Sequence, residues 1–178
     1  MKNVTPAQWK ALRLDVVLWE KVRLDSVHHV VHDYANFVSS AEMMTTGQHL
    51  GKTCDPPVNT HISHAFLLSC RKIARFFGKR SEEDDVIADD YVPGFTFSLP
   101  KCDHWRVPVN KQLAHITYTR DADPREITRQ AKLDIYDELK HAWKDFRSRL
   151  SKPFAAKFEQ EIKDKLKPES EFRDLDLW

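Results

Sequence analysis

The stretch ITRQAKLDIYDELKHAWKDFRSRL, residues 127–150, decides the fold class of this chain, because its apolar side chains recur every three or four positions. That spacing predicts an amphipathic helix with a single buried stripe. The stripe consists of Ile127, Ala131, Ile135, Leu139, Ala142, Trp143, Phe146 and Leu150. We expect this helix to begin with Asp123 as N-cap, Pro124 as its first residue and Glu126 as the capping-box partner.

Two earlier segments carry the same helical pattern. Residues 6–45 open with Thr5 as N-cap and form either one long helix or two helices with a break near residues 24–26. Their apolar seam is Leu24, Val27, Val31, Tyr34, Val38 and Ala41. After a predicted loop at residues 47–58, a second helix is capped by Asn59 or Thr60 and ends at Gly78, because glycine commonly terminates helices.

The remaining chain contains two shorter predicted helices and two irregular parts. We expect a third helix at residues 108–118, and a last helix that starts at Ser151 and Pro153. Residues 79–105 are acidic and proline-bearing and predict an irregular excursion with one helical turn near residues 86–91, and residues 167–178 form a C-terminal tail. The expected fold is a single all-α domain, residues 1–178, built as a four-helix up-and-down bundle with an additional C-terminal helix.

Composition excludes several classes of protein. The 28 basic and 27 acidic residues give a net charge of +1, so any contact with a polyanion requires a local basic patch. Cysteines 54, 70 and 102 form no C-x-x-C pair, which argues against a disulfide framework or a thiolate zinc site and indicates a reducing, cytoplasmic location. No apolar run approaches the roughly 18 residues that a membrane span requires, so we expect no membrane partner. Glycine-rich phosphate loops and the G-x-S-x-G motif of serine hydrolases are also missing.

The segment VNKQLAHITYTR, residues 109–120, carries the chemistry that the sequence predicts. On a helix, Lys111, His115 and Tyr118 lie on one stripe because they are four and three residues apart. A histidine titrates near neutral pH and can take the proton of a ribose 2′-hydroxyl, while a nearby cation stabilises charge on the phosphate. Such chemistry needs no metal or other cofactor.

This segment resembles the signature of the HEPN family, which is linked to RNA cleavage. Residues 64–77, with leucines, arginines and a Phe76-Phe77 end, and the acidic residues 84–91 are similar to segments of uncharacterised bacterial HEPN-like proteins. In that family an arginine, a polar residue and a histidine on one helix meet their copies across a homodimer. Asn110 and His115 match the polar and histidine positions, whereas Val109 stands where the family has its arginine.

The resemblance implies a HEPN-like protein of a bacterial conflict, toxin or stress system. It is either a metal-independent endoribonuclease or a degenerate member that binds RNA or a protein such as a cognate antitoxin. The implied catalytic residues are His115 as acid or base, Asn110 as its orienting group, and Lys111, Arg120 and Arg71 as sources of positive charge. The residues implied to contact the substrate are Arg106, Tyr118 and His64. The helices that carry residues 64–77 and 110–120 are expected to form the dimer interface.

Three further features remain open from the sequence. Arg71 lies among leucines on a helix that is predicted to be largely buried, so we expect it either to pair with Asp89 or Asp90 or to reach solvent.

A non-enzymatic interaction protein would use the acidic residues 82–90 and the tail at Trp178 as contact regions. A third hypothesis is a histidine-ligated metal, since two pairs of histidines have helical ligand spacing. These pairs are His28 with His32 and His61 with His64.

Overall fold

The computed structural model describes residues 4–46, 48–49, 52–53, 56–106 and 127–165, and for those of them that fall between 45 and 61 it describes the backbone alone. Helix α1 spans Pro6–Leu14, α2 spans Val16–Thr46 and α3 spans Pro56–Phe77. Strands β1 (Gln48–His49) and β2 (Lys52–Thr53) form a minimal antiparallel pair between α2 and α3. A 3-10 turn covers Ala88–Asp90, residues 100–106 form helix α4, and α5 (Arg129–Ser148) and α6 (Lys152–Lys165) follow.

The all-α prediction is confirmed for the described part of the chain, in which helix α2 is the central element. It packs against α3 and α6. Helix α5 packs against α3 and also contacts α2, where the Tyr34 and Trp143 rings stack with their centroids 3.8 Å apart. None of the helices in the described ranges has the length and apolar character that a bilayer crossing would require.

The core is an aromatic cluster centred on Phe146 of α5. Its side chain is fully buried, and its ring centroid lies 5.2–6.1 Å from six other rings. These belong to Phe76, Phe77, Tyr91, Phe95, Trp143 and Phe158. The predicted stripe of residues 127–146 is buried throughout, with Leu150 half-buried at its end. The helical spacing of apolar residues therefore predicted the buried face of α5 correctly.

Several predicted boundaries are corrected. The first two helices separate at Asp15 rather than near residues 24–26, because the Asp15 backbone is extended and its carboxylate accepts a hydrogen bond from Leu18 N at 3.0 Å. Helix α3 begins at Pro56, earlier than Asn59 or Thr60, since a proline is well suited to the first turn. Helix α5 begins at Arg129, and its N-cap is Thr128, whose hydroxyl accepts from Ala131 N.

The region 79–105 is more ordered than the sequence predicts. Its expected helical turn is present at Ala88–Asp90, but residues 100–106 are helical rather than irregular. The loop predicted at residues 47–58 contains the β1–β2 pair and the start of α3. Gly78 follows the end of α3 as predicted. The predicted helix at 108–118, the Asp123–Glu126 capping box and the tail at 167–178 lie outside the described residues.

Candidate functional site

A groove of about 730 Å³ lies between α3, the segment 95–99, α4 and the middle of α5. We call it the basic groove. Its lining residues are Cys70, Arg71, Ala74, Arg75, Phe77, Gly78, Lys79, Ser81, Phe95, Thr96, Phe97, Ser98, Leu99, Cys102, Asp103, Arg106 and Ile135. The volume falls within the range of about 300–1,000 Å³ that is usual for ligand-binding clefts. Two of the residues predicted to act on a substrate, Arg71 and Arg106, are therefore brought together.

Helix α3 supplies one wall of the groove. His64, Leu68, Arg71 and Arg75 are four, three and four residues apart, so they share one helical stripe, and all of them are exposed. The expected partner of Arg71 is wrong, because Asp90 pairs with Arg80, and Asp89 accepts from Gly94 N at 2.6 Å. Arg71 instead reaches solvent, and His64 is not among the lining residues.

The floor of the groove is apolar. Phe77 and Phe95 are buried with their ring centroids 5.8 Å apart, and Phe97 is half-buried. A turn at Gly94, whose φ of 77° suits glycine, precedes residues 95–99. Phe95, Phe97 and Leu99 alternate with polar residues in the sequence, which was the available signal that this segment packs along one side of a surface.

Helix α4 carries Arg106 and is attached to α5 by a side chain. Both carboxylate oxygens of Glu138 accept backbone hydrogen bonds at the start of α4, from Lys101 N at 2.9 Å and from Cys102 N at 2.8 Å. Lys101 also approaches Asp134 at 3.8 Å. Neither Glu138 nor this helix was identified from the sequence, because the contact joins residues 36 and 37 positions apart.

The acidic segment near the groove is engaged internally. Glu83 bonds to Arg13, Asp85 pairs with Arg75 at 2.9 Å, and Asp90 pairs with Arg80. Burial would raise the pKa of Asp85, but hydrogen bonds from Glu82 N, from Ser81 and from Arg75 outweigh it and lower that pKa to about 2. These three carboxylates are therefore each paired with an arginine of the same chain.

The charge of the groove is positive. Arg75 is neutralised by Asp85, whereas Arg71, Lys79 and Arg106 are exposed and have no acidic partner among the described residues. Asp103 supplies a carboxylate among the lining residues. Three available cations above an apolar floor are suited to a ligand that has both phosphate groups and flat apolar rings.

The two cysteines that line the groove have raised thiol pKa values. Burial raises the pKa of the Cys70 thiol well above its usual value. Burial, aided by the neighbouring Glu138 carboxylate, also raises the pKa of Cys102. Since the thiolate is the reactive form, both side chains act as apolar lining.

The described histidines line the surface of the helices. His28 Nδ1 lies 2.6 Å from the carbonyl oxygen of Asp25, and His32 Nε2 lies 3.1 Å from Asn36 Nδ2. His61 belongs to the part of α3 for which the backbone alone is described. Within the described ranges, no group of three or more His, Cys, Asp or Glu side chains could hold a metal ion.

The remaining predicted site residues lie outside the described ranges. These are Asn110, Lys111, His115, Tyr118 and Arg120. Arg106 is the last described residue before them, and Asn110 follows it by four positions in the sequence.

Comparison of the chain with protein-family models, with curated proteins and with solved structures gave no match in any of the three.

Proposed function

We propose that this chain is a HEPN-like, metal-independent endoribonuclease that binds RNA in the basic groove. The observation that carries the proposal is the presence of Arg71 of α3 and Arg106 of α4 in one groove. In this proposal the helices form an up-and-down bundle, and the protein is a cytoplasmic homodimer of a bacterial conflict, toxin or stress system. A cognate antitoxin would be its protein partner.

The chemistry follows from the groups available. Arg71 and Arg106 bind the phosphates on either side of the scissile bond, and the half-buried Phe97 offers a ring face to a base. His115 removes the proton of a ribose 2′-hydroxyl, whose oxygen attacks the adjacent phosphorus as the bond to the 5′-oxygen breaks, and the departing 5′-oxygen takes a proton from solvent water. The products are a 2′,3′-cyclic phosphate and a 5′-hydroxyl, and Asn110 orients His115 or the phosphate. Lys111 and Arg120 add positive charge, and Tyr118 and His64 contact the RNA further along.

The test measures cleavage and binding separately. The purified protein is incubated with mixed RNA in the presence of a chelator, and the wild type is compared with His115→Ala, Arg71→Ala and Lys144→Ala. Lys144 is exposed on α5 and does not line the groove, so it serves as a control for loss of one positive charge. We expect His115→Ala to abolish cleavage while retaining binding, Arg71→Ala to weaken binding, and Lys144→Ala to behave as the wild type. Cleavage that survives His115→Ala would refute the catalytic assignment.

A second candidate function is protein binding without catalysis, and an exposed apolar strip favours it. Leu14, Val16, Val17 and Leu18 surround the α1–α2 break and are 85%, 74%, 81% and 42% exposed. Contiguous exposed apolar side chains of this kind mark interaction surfaces. Cross-linking in the native cell, comparing the wild type with Val17→Glu, tests it: loss of a cross-linked partner, with RNA cleavage absent from both proteins, would favour this function.

A further inference from the structure

The carboxylate of Glu138 holds the start of helix α4 in a manner unlike the other helix caps described above. The capping residue of α1 is Thr5 and that of α5 is Thr128, and each of these adjoins its own helix. The cap of α4 comes from a different helix, with one oxygen on Lys101 N at 2.9 Å and the other on Cys102 N at 2.8 Å. A negative charge at this end also interacts favourably with the helix dipole.

This attachment determines where Arg106 can lie. Leu99 is buried, and its carbonyl oxygen accepts from Asp103 N at 2.8 Å, so the helix starts at a fixed point on the core. Arg106 follows Cys102 by four residues, which corresponds to a rise of about 6 Å along a helix. A tilt or fraying of α4 at its start would therefore carry Arg106 away from Arg71, which sits on the separate helix α3. The exposed Lys101–Asp134 approach of 3.8 Å provides only a weak second attachment.

We infer that Glu138 is a positioning residue for the RNA site, acting through Arg106 and not through the stability of the whole fold. The inference rests on the proposed function, because it assigns Arg106 to a phosphate. The two arginines of the groove are therefore positioned differently. The position of Arg71 depends on α3 alone, whereas the position of Arg106 depends on Glu138.

A double-mutant cycle tests this dependence. The probe is a fluorescent ten-nucleotide RNA of mixed sequence with 2′-O-methyl groups, which lacks the attacking hydroxyl, so binding is measured with the full chain and without cleavage. Arg106→Ala should weaken binding roughly tenfold and Glu138→Ala roughly fivefold. In the Arg106→Ala background, Glu138→Ala should cause no further loss of RNA affinity. In the Arg71→Ala background, it should lower the affinity by the same factor as in the wild type. Glu138→Gln keeps one acceptor oxygen and should bind with intermediate affinity.

Hydrogen exchange supplies a readout that does not require RNA. Glu138→Ala should speed exchange of the amides of residues 101–106 selectively, and Thr5→Ala, which removes the cap of α1, should change neither this exchange nor RNA affinity. If Glu138→Ala binds the probe as tightly as the wild type while Arg106→Ala does not, the inference is wrong and the proposed function stands. If Glu138→Ala lowers RNA affinity equally in the Arg106→Ala and Arg71→Ala backgrounds, the inference is also wrong. A wild type that does not bind the probe would overturn both the inference and the proposed function.

Discussion

The salt dependence of RNA binding gives the most quantitative test of the basic groove. The groove presents three cations that have no acidic partner among the described residues, Arg71, Lys79 and Arg106. Each phosphate neutralised on a single strand contributes about −0.7 to the slope of log K against log salt, so the three groove cations together contribute about −2, to which any contacts of Lys111 and Arg120 add. Between about 50 and 200 mM salt, this contribution alone weakens binding by about twentyfold. The variant Arg71→Ala/Arg106→Ala removes two of the three groove contacts, so its slope should be shallower than that of the wild type by about 1.4, and its loss of affinity over the same range should be about sevenfold smaller.

The assay is fluorescence anisotropy of the 2′-O-methyl RNA at four or more salt concentrations and constant pH. Lys144→Ala, which removes an exposed lysine outside the groove, should keep the slope of the wild type. A double arginine variant with an unchanged slope would mean that phosphates are bound elsewhere on the protein. A slope reduced equally by Lys144→Ala would mean that the protein binds RNA by its general surface charge.

Three other predictions address stability and reactivity. Phe146→Ala removes the ring at the centre of the aromatic core and should lower the free energy of unfolding by about 3–5 kcal/mol in urea titration, with Phe146→Leu losing clearly less; equal small losses would contradict the central role of this ring. Asp85→Asn should destabilise the protein at pH 7 by about 1–2 kcal/mol. Because the folded-state pKa of Asp85 is lowered to about 2, the stabilisation exists above the unfolded value of 3.8 and is lost as the pH falls towards 2. Unfolding curves of the wild type and Asp85→Asn should therefore converge near pH 2, and a constant difference would refute the assignment. In a Cys54→Ser/Cys102→Ser background, the buried Cys70 should react with a thiol reagent at pH 8 only as the protein unfolds, and rapid labelling of the native protein would contradict its burial.

Periodicity predicted the core well because burial on a helix follows from position on its face. The seam of α2 illustrates this, since Val27, Val31, Tyr34, Val38 and Ala41 are all buried as expected. The face of α6 formed by Phe154, Phe158 and Ile162 is buried too. In α6, and in α2 from Val27 onward, these apolar residues coincide with the packed surface, so local sequence was sufficient there.

The break between α1 and α2 matches neither alternative that the sequence left open, because its position depends on one side chain, that of Asp15. Leu14, Val16, Val17 and Leu18 continue the apolar character of the region, yet all four are exposed. Asp15 interrupts the helix there by bonding to Leu18 N, and a count of apolar residues gives no weight to such a contact.

Of the two alternatives that the sequence leaves open for Arg71, the structure shows the solvent-exposed one, although the helix is predicted to be largely buried. Leu67 is buried, but Leu68 is 47% exposed. Arg71 lies one turn after each of them, at offsets of four and three, and it shares the exposed face of Leu68. A leucine on the solvent side therefore made the helix look more buried than it is, and the groove itself depends on long-range contacts such as that of Glu138, which no local pattern encodes.

The position of Arg106 bears on the proposed resemblance to the HEPN signature, in which Val109 stands at the arginine position. In our proposal a cation stabilises charge on the phosphate, and that role requires a guanidinium near the site rather than one at a fixed place in the sequence. Arg106 precedes Val109 by three residues and already lines a groove with Arg71. Substitution of Val109 by arginine offers a direct comparison. If Arg106 and Arg71 supply the charge in our proposal, Val109→Arg should raise cleavage little in the wild type and should partly rescue Arg106→Ala. A large gain in the wild type alone would mean that the groove arginines do not serve the reacting phosphate.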